Sequence, residues 1–99
     1  MPNNSPLHKS ILDRFRAALG EPHRTAGADH QWSLRQLSYL APITVLINGS
    51  SDPTIVWVFD PHDQKDGVTH TTIQQESEIA PILSAIESRV RRASRPDFD

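Results

Sequence analysis

Two short apolar runs, separated by a cluster of turn-forming residues, constrain the fold of this sequence more than any other feature. Residues 43–47 read ITVLI and residues 54–59 read TIVWVF, and β-branched and aromatic residues of this kind favour strands. The intervening residues 48–53 read NGSSDP, a composition typical of turns. The sequence therefore predicts two adjacent antiparallel strands. A loop at residues 60–67 and a threonine-rich strand at residues 68–73 extend them to a meander.

One helix is predicted on each side of these strands. Residues 6–19 place apolar side chains at the spacing of a single helical face. Ser5 suits the N-cap of this helix, and Pro6 suits its first position, where a missing N–H costs nothing. Residues 77–92 show the same periodicity, and Pro81 is compatible with a helix there because it falls within the first turn.

The segment between the first helix and the first apolar run allows two interpretations. Residues 20–31 are polar and are predicted to form a loop. Within residues 32–40, Trp32 and Leu34 alternate with polar residues as on a strand, whereas leucines at 34, 37 and 40 also suit a helix. We predict a strand at residues 32–37, because a sheet follows directly.

The predicted fold class is α+β, with an N-terminal helix, a three- or four-stranded antiparallel meander sheet and a C-terminal helix, packed as a two-layer sandwich. Ninety-nine residues are enough for one domain. We expect residues 1–99 to form a single domain that is ordered over about residues 6–93, with flexible tails at residues 1–4 and 94–99.

The predicted strand at residues 54–59 is apolar on both of its faces. Val56 and Val58 point to one side, and Trp57 and its neighbours of the same parity point to the other. Two helices can cover one side of the sheet. Either residues 20–40 fold over the other side, or it is a protein interface, since large apolar patches usually mark contact sites. The candidate interface residues are Val56, Trp57 and Val58.

The loop after this strand concentrates groups that can bind a divalent metal. Asp60, His62, Asp63 and His70 could approach one another across a hairpin. The spacing does not fit a calcium-binding EF-hand loop, and Asp, Pro and Gly are also what ordinary turns contain. A solvated turn is the favoured interpretation, and a metal site is the alternative.

Several function classes find no support in the sequence. There is no cysteine, which excludes disulfides and thiol chemistry, and no Gly-x-Ser-x-Gly elbow or glycine-rich phosphate loop is present. No catalytic residue and no cofactor is predicted. The apolar runs are far shorter than the ~20 residues that cross a bilayer, and the N-terminal residues lack the pattern of a signal peptide. We therefore expect no membrane partner and a cytoplasmic location.

We do not expect nucleic acid to be a partner of a chain with a net charge of −2. The basic cluster consists of Arg89, Arg91, Arg92 and Arg95, and it lies where arginines favourably oppose the dipole of a helix C-terminus.

These observations favour a small protein–protein interaction module that acts as a homodimer or as the small subunit of a complex. An adaptor, a chaperone-like protein and an inhibitor or immunity protein all fit this class. The order of helix, strands and helix resembles, in outline, small αβ secretion chaperones and other dimeric adaptors. The alternative function is binding of a small ligand or a divalent metal by the hairpin loop at residues 60–70.

Overall fold

The computed structural model describes residues 6–34, 41–51 and 53–93. Two helices, five strands and one 3₁₀ turn follow one another along the chain. They are α1 (Pro6–Leu19), β1 (Arg24–Ala26), β2 (Asp29–Leu34), β3 (Ile43–Asn48), β4 (Thr54–Phe59), β5 (Val68–Ile73), the 3₁₀ turn (Glu76–Glu78) and α2 (Ile79–Ala93). The α+β class and the two helices at the ends of the order are as predicted.

The five strands form one antiparallel meander in which every strand pairs with its neighbour in sequence. The register aligns Trp32 with Val45, Val45 with Val58, and Val58 with Thr69. Because opposite residues in a sheet point to the same side, this row and every second row beside it belong to one face.

The sheet has five strands rather than the three or four predicted, because residues 20–31 are not a loop. Residues 24–34 contain β1 and β2 as a hairpin, with Ala26 opposite Asp29. Gly27 has φ = 62° and takes the first place of the two-residue turn, where type II′ hairpin turns use glycine. The strand predicted at 32–37 begins earlier, at Asp29, and its last three positions lie outside the described residues.

The other boundaries follow the sequence pattern closely. α1, β4 and β5 have the predicted limits, and β3 extends one residue further than predicted, to Asn48. The predicted C-terminal helix begins with the 3₁₀ turn, in which one Glu78 carboxylate oxygen accepts hydrogen bonds from the backbone N–H groups of Gln74 and Gln75. Ser5 and the two predicted flexible tails lie outside the described residues.

The core lies between the helices and one face of the sheet, which we call the covered face. From α1, the ring of Phe15 lies 5.8 Å from that of Trp32, and the Trp32 indole N–H donates to the Gly20 carbonyl at the end of the helix. Burying one large aliphatic or aromatic side chain contributes about 1.5–3 kcal/mol. The core residues are Ile11, Phe15, Trp32, Ile43, Val45, Ile47, Val56, Val58, Ile73, Ile79, Leu83 and Ile86.

Candidate functional site

The opposite side of the sheet carries a patch of apolar side chains, which we call the open face. Its central row places Leu46 opposite Trp57 and Trp57 opposite His70. The next row places Phe59 opposite Val68, and Ile55 lies on the other side of Trp57. The apolar and aromatic side chains of the open face are therefore those of Leu46, Ile55, Trp57, Phe59, Val68 and His70.

The aromatic groups of the open face lie against one another. The rings of Trp57 and Phe59 are 6.3 Å apart and nearly parallel, with an interplanar angle of 9°. The His70 imidazole lies 4.8 Å from the Trp57 ring on the neighbouring strand. Such pairs add stability and also fix the rings in place, so the open face presents a preformed aromatic surface.

The two faces of the sheet differ sharply in solvent exposure. The inward positions of β3 and β4 are buried, and the outward positions are half-buried or exposed. Phe59 is 36 % exposed and Val68 is 61 % exposed. The alternative interpretation has residues 20–40 fold over this face. Residues 24–34 instead form the β1–β2 hairpin within the sheet, and residues 35–40 lie outside the described residues. Among the described residues, both helices contribute to the core on the covered face.

Of the three interface residues predicted from the sequence, the structure places only Trp57 on the open face. Val56 is 1 % exposed and Val58 is 7 % exposed, because both lie on the covered face in the core. They are therefore unavailable for contact with a partner in this fold. Val68 was not predicted as an interface residue. The register with Phe59 identifies it, and the sequence could have indicated it only once the pairing of β4 with β5 was known.

The loop that follows β4 is held by an arginine of α2. Arg89 Nη1 donates to Asp60 Oδ2 at 2.9 Å and to Asp63 Oδ2 at 3.0 Å. The second oxygen of each carboxylate accepts backbone N–H groups, from His62 for Asp60 and from Lys65 and Asp66 for Asp63. These contacts close the loop and fasten it to the helix.

The charges of this cluster stabilise one another. Hydrogen bonds from the backbone N–H groups of Asp66 and Lys65, followed by the contact with Arg89, lower the pKa of Asp63. Burial alone would lower the pKa of Arg89, but its hydrogen bonds and charge interactions with Asp60 and Asp63 raise it overall. Asp63 and Arg89 are therefore ionised at neutral pH.

The four predicted metal ligands do not come together. Asp60 and Asp63 share Arg89, the His62 ring is 2.9 Å from the Ala41 carbonyl through Nε2, and His70 lies on the open face. Within residues 6–34, 41–51 and 53–93, no group of three or more His, Asp or Glu side chains could hold a metal ion. In this loop Arg89 occupies the position between the two carboxylates.

A buried histidine connects α1 to the sheet. His8 is 5 % exposed, and its Nδ1 lies 3.1 Å from the Thr54 hydroxyl. Burial lowers the pKa of His8, as does the neighbouring His30, while Asp29 acts in the opposite direction. This contact joins α1 to the covered face of the sheet. Both His8 and Thr54 are buried.

Comparisons of the chain with models of protein families, with curated proteins and with solved structures find no match. In the part of the chain that the structure describes, neither helix is long and apolar enough to span a bilayer. The open face is therefore the feature of the molecule that bears on its function.

Proposed function

We propose that this protein is a small protein–protein interaction module that binds its partner through the open face. The observation that carries the proposal is the patch of apolar and aromatic side chains around the half-buried Trp57, with Phe59 and Val68 exposed, on the side of the sheet away from both helices. An apolar patch of this kind on a soluble domain usually marks a contact site.

The composition of the open face fits a protein interface. Trp57 is central and aromatic, and tryptophan is enriched among residues whose truncation costs about 2 kcal/mol or more of binding energy. Polar side chains surround the patch at the ends of the strands, with Thr44, Asn48 and Thr72 on the same face. An apolar centre with a polar rim is the usual arrangement of an interface.

The partner is a second copy of this chain or a larger protein of which this domain is the small subunit. An adaptor, a chaperone-like protein or an inhibitor would each use such a face. The cytoplasmic location stays a prediction, and the compartment of an identified partner tests it.

A pull-down with matched variants tests the proposal. The tagged protein is isolated from the cells that produce it, together with a double variant, Trp57→Ser with Phe59→Ser. A control carries Ala17→Ser and Ala80→Ser, which change exposed positions of the two helices. We expect one stoichiometric protein to accompany the wild type and the control but not the open-face variant.

Folding is checked for all three proteins by circular dichroism. The same bound proteins with folded wild type and folded open-face variant would show that the open face makes no contact. The absence of any stoichiometric protein, together with a monomeric wild type, would equally contradict the proposal.

A further inference from the structure

Strand β5 ends the sheet on one side, and within the described residues alternate positions of this strand direct their backbone groups away from the sheet. The Asp60 N–H donates to the Gly67 carbonyl, so this pair is a hydrogen-bonded pair of the β4–β5 ladder. Hydrogen-bonded and non-hydrogen-bonded pairs alternate along an antiparallel ladder. Thr69 and Thr71 therefore direct their backbone groups to β4, and Val68, His70 and Thr72 direct theirs away from the sheet.

The strand at the β5 edge is neither short nor charged, which are two common means by which proteins protect such an edge. It is six residues long and contains neither proline nor lysine nor any acidic residue. Native edge strands are usually short, charged or interrupted. The opposite edge follows that pattern, because β1 has only three residues and begins with Arg24. The two edges of this sheet are therefore not equivalent.

We propose that β5 pairs antiparallel with β5 of a second copy of this chain, around a two-fold axis at His70. The proposal goes beyond the proposed function, because it adds a second contact at the sheet edge to the contact at the open face. It rests on that function only in treating the domain as one that acts through protein contacts. The two five-stranded sheets would then form one continuous sheet.

The strand is complementary to itself in this register. Val68 lies opposite Thr72 of the second copy, and His70 lies opposite His70, which gives three hydrogen-bonded pairs from the outward backbone groups of both strands. Between them, Thr69 lies opposite Thr71 of the second copy, and threonine pairs of this kind are favourable across strands. No pair brings two acidic or two lysine or arginine side chains together.

The register also keeps equivalent faces together. A two-fold axis perpendicular to the sheet places the covered faces of both copies on one side and the open faces on the other. Val68, which is 61 % exposed in the single chain, would then lie where the two β5 strands meet. The two aromatic patches would meet there in one larger surface. A foreign strand could satisfy the same hydrogen bonds, but the self-complementary register favours a second copy.

Sedimentation equilibrium tests the edge directly. We expect the full chain to have twice the mass of one copy and the variant Thr72→Pro to be a monomer. Proline removes an outward N–H and leaves the β4–β5 ladder intact, because Thr72 does not donate to β4. Thr72→Ser, which keeps the N–H, is the matched control and is expected to remain dimeric. A monomeric wild type, or a dimer that survives Thr72→Pro, would overturn the proposal.

Disulfide formation tests the register in a chain that has no cysteine of its own. Opposite residues of a hydrogen-bonded pair have Cα atoms about 5.5 Å apart, a distance that a disulfide spans. His70→Cys is therefore expected to form a covalent dimer on mild oxidation. Thr25→Cys, on the exposed β1 edge, is the control and is expected to stay monomeric. Equal cross-linking of both variants would contradict pairing through β5.

The two proposals can fail separately. A foreign protein that is lost with the Trp57→Ser and Phe59→Ser variant, together with a monomeric wild type, leaves the proposed function in place and rejects the β5 dimer. A β5 dimer whose open-face variant binds the same proteins as the wild type rejects the open face as the contact site.

Discussion

Gly49 shows how closely a single residue can be constrained by its neighbours. A Cβ atom at this position would overlap the Ala28 carbonyl oxygen and the His8 ring, so glycine is required here by the close approach of both the β1–β2 turn and α1. We expect Gly49→Ala to lower the free energy of unfolding by about 1–3 kcal/mol, the usual range for overpacking. Denaturant unfolding measures this change.

The control for that measurement is Ser84→Ala, at an exposed position of α2, which should change the stability by no more than about 0.5 kcal/mol. A Gly49→Ala variant as stable as this control would mean that the β1–β2 turn and α1 do not approach Gly49 as closely as the structure shows.

His8 makes the stability of the fold depend on pH. Burial, followed by the charge of His30, lowers the pKa of His8 from 6.5, against the opposing charge of Asp29. The unfolded chain therefore binds more protons at this site than the folded chain. The titration of His8 therefore leaves the free energy of unfolding unchanged well above pH 6.5. It lowers that free energy as the pH drops through 6.5, until the folded-state pKa is passed.

We expect the wild type to be less stable at pH 5 than at pH 7.5 in denaturant unfolding, and His8→Gln to reduce that difference. Ser84→Ala, at an exposed and non-titrating position of α2, is the control and should leave the difference unchanged. Asp63, whose pKa is lowered from 3.8, loses its stabilising effect only as the pH falls below about that value, so it does not interfere. An unchanged pH dependence in His8→Gln would contradict this account.

At the scale of elements, one arginine holds the β4–β5 loop on α2. Asp60 is 6 % exposed, so Arg89→Met leaves a buried carboxylate without its charged partner, and we expect a loss of about 1–3 kcal/mol in the free energy of unfolding. Arg92→Met, at an exposed position of the same helix, should stay within about 0.5 kcal/mol. Thermal and denaturant unfolding distinguish the two variants. An equal loss of stability in both would show that Arg89 does not hold the loop on α2.

The elements differ in how far the sequence determines them. α1, β4 and β5 could be placed by periodicity, because each has a clear pattern and a turn residue at its boundary. β1 could not, since its three residues, Arg24, Thr25 and Ala26, are all exposed and show no apolar pattern, and only the pairing with β2 makes them a strand. The association of Asp60 with Arg89 was also missed, because the two residues are distant in sequence and only the return of α2 over the sheet brings them together.

The open face shows a similar limit. The alternation in β4 separates Trp57 from Val56 and Val58, but both sets are apolar, so hydrophobic pattern alone cannot say which side the helices cover. The packing decides it, since the partly buried Trp57 lies opposite His70 and the buried valines lie beneath the helices.

At the scale of the whole molecule, we expect one tryptophan to stabilise the core and the other to contact the partner. Trp32 is fully buried and belongs to the core, so Trp32→Ala should cost about 3–5 kcal/mol of stability. Trp57 is half-buried on the open face, and we expect Trp57→Ala to cost clearly less stability while weakening partner binding. Unfolding and binding measurements on both variants check this division. A larger stability loss from Trp57→Ala would assign that residue to the core instead.

The most direct test of the open face as a contact surface is site-specific photo-cross-linking in the producing cells. A photoreactive amino acid replaces Phe59 in one version of the full chain and the exposed Ala17 of α1 in another. The account predicts that position 59 forms one defined adduct with a protein, either a second copy or a foreign chain, and that position 17 does not. No adduct from position 59 beyond that from position 17 would contradict it.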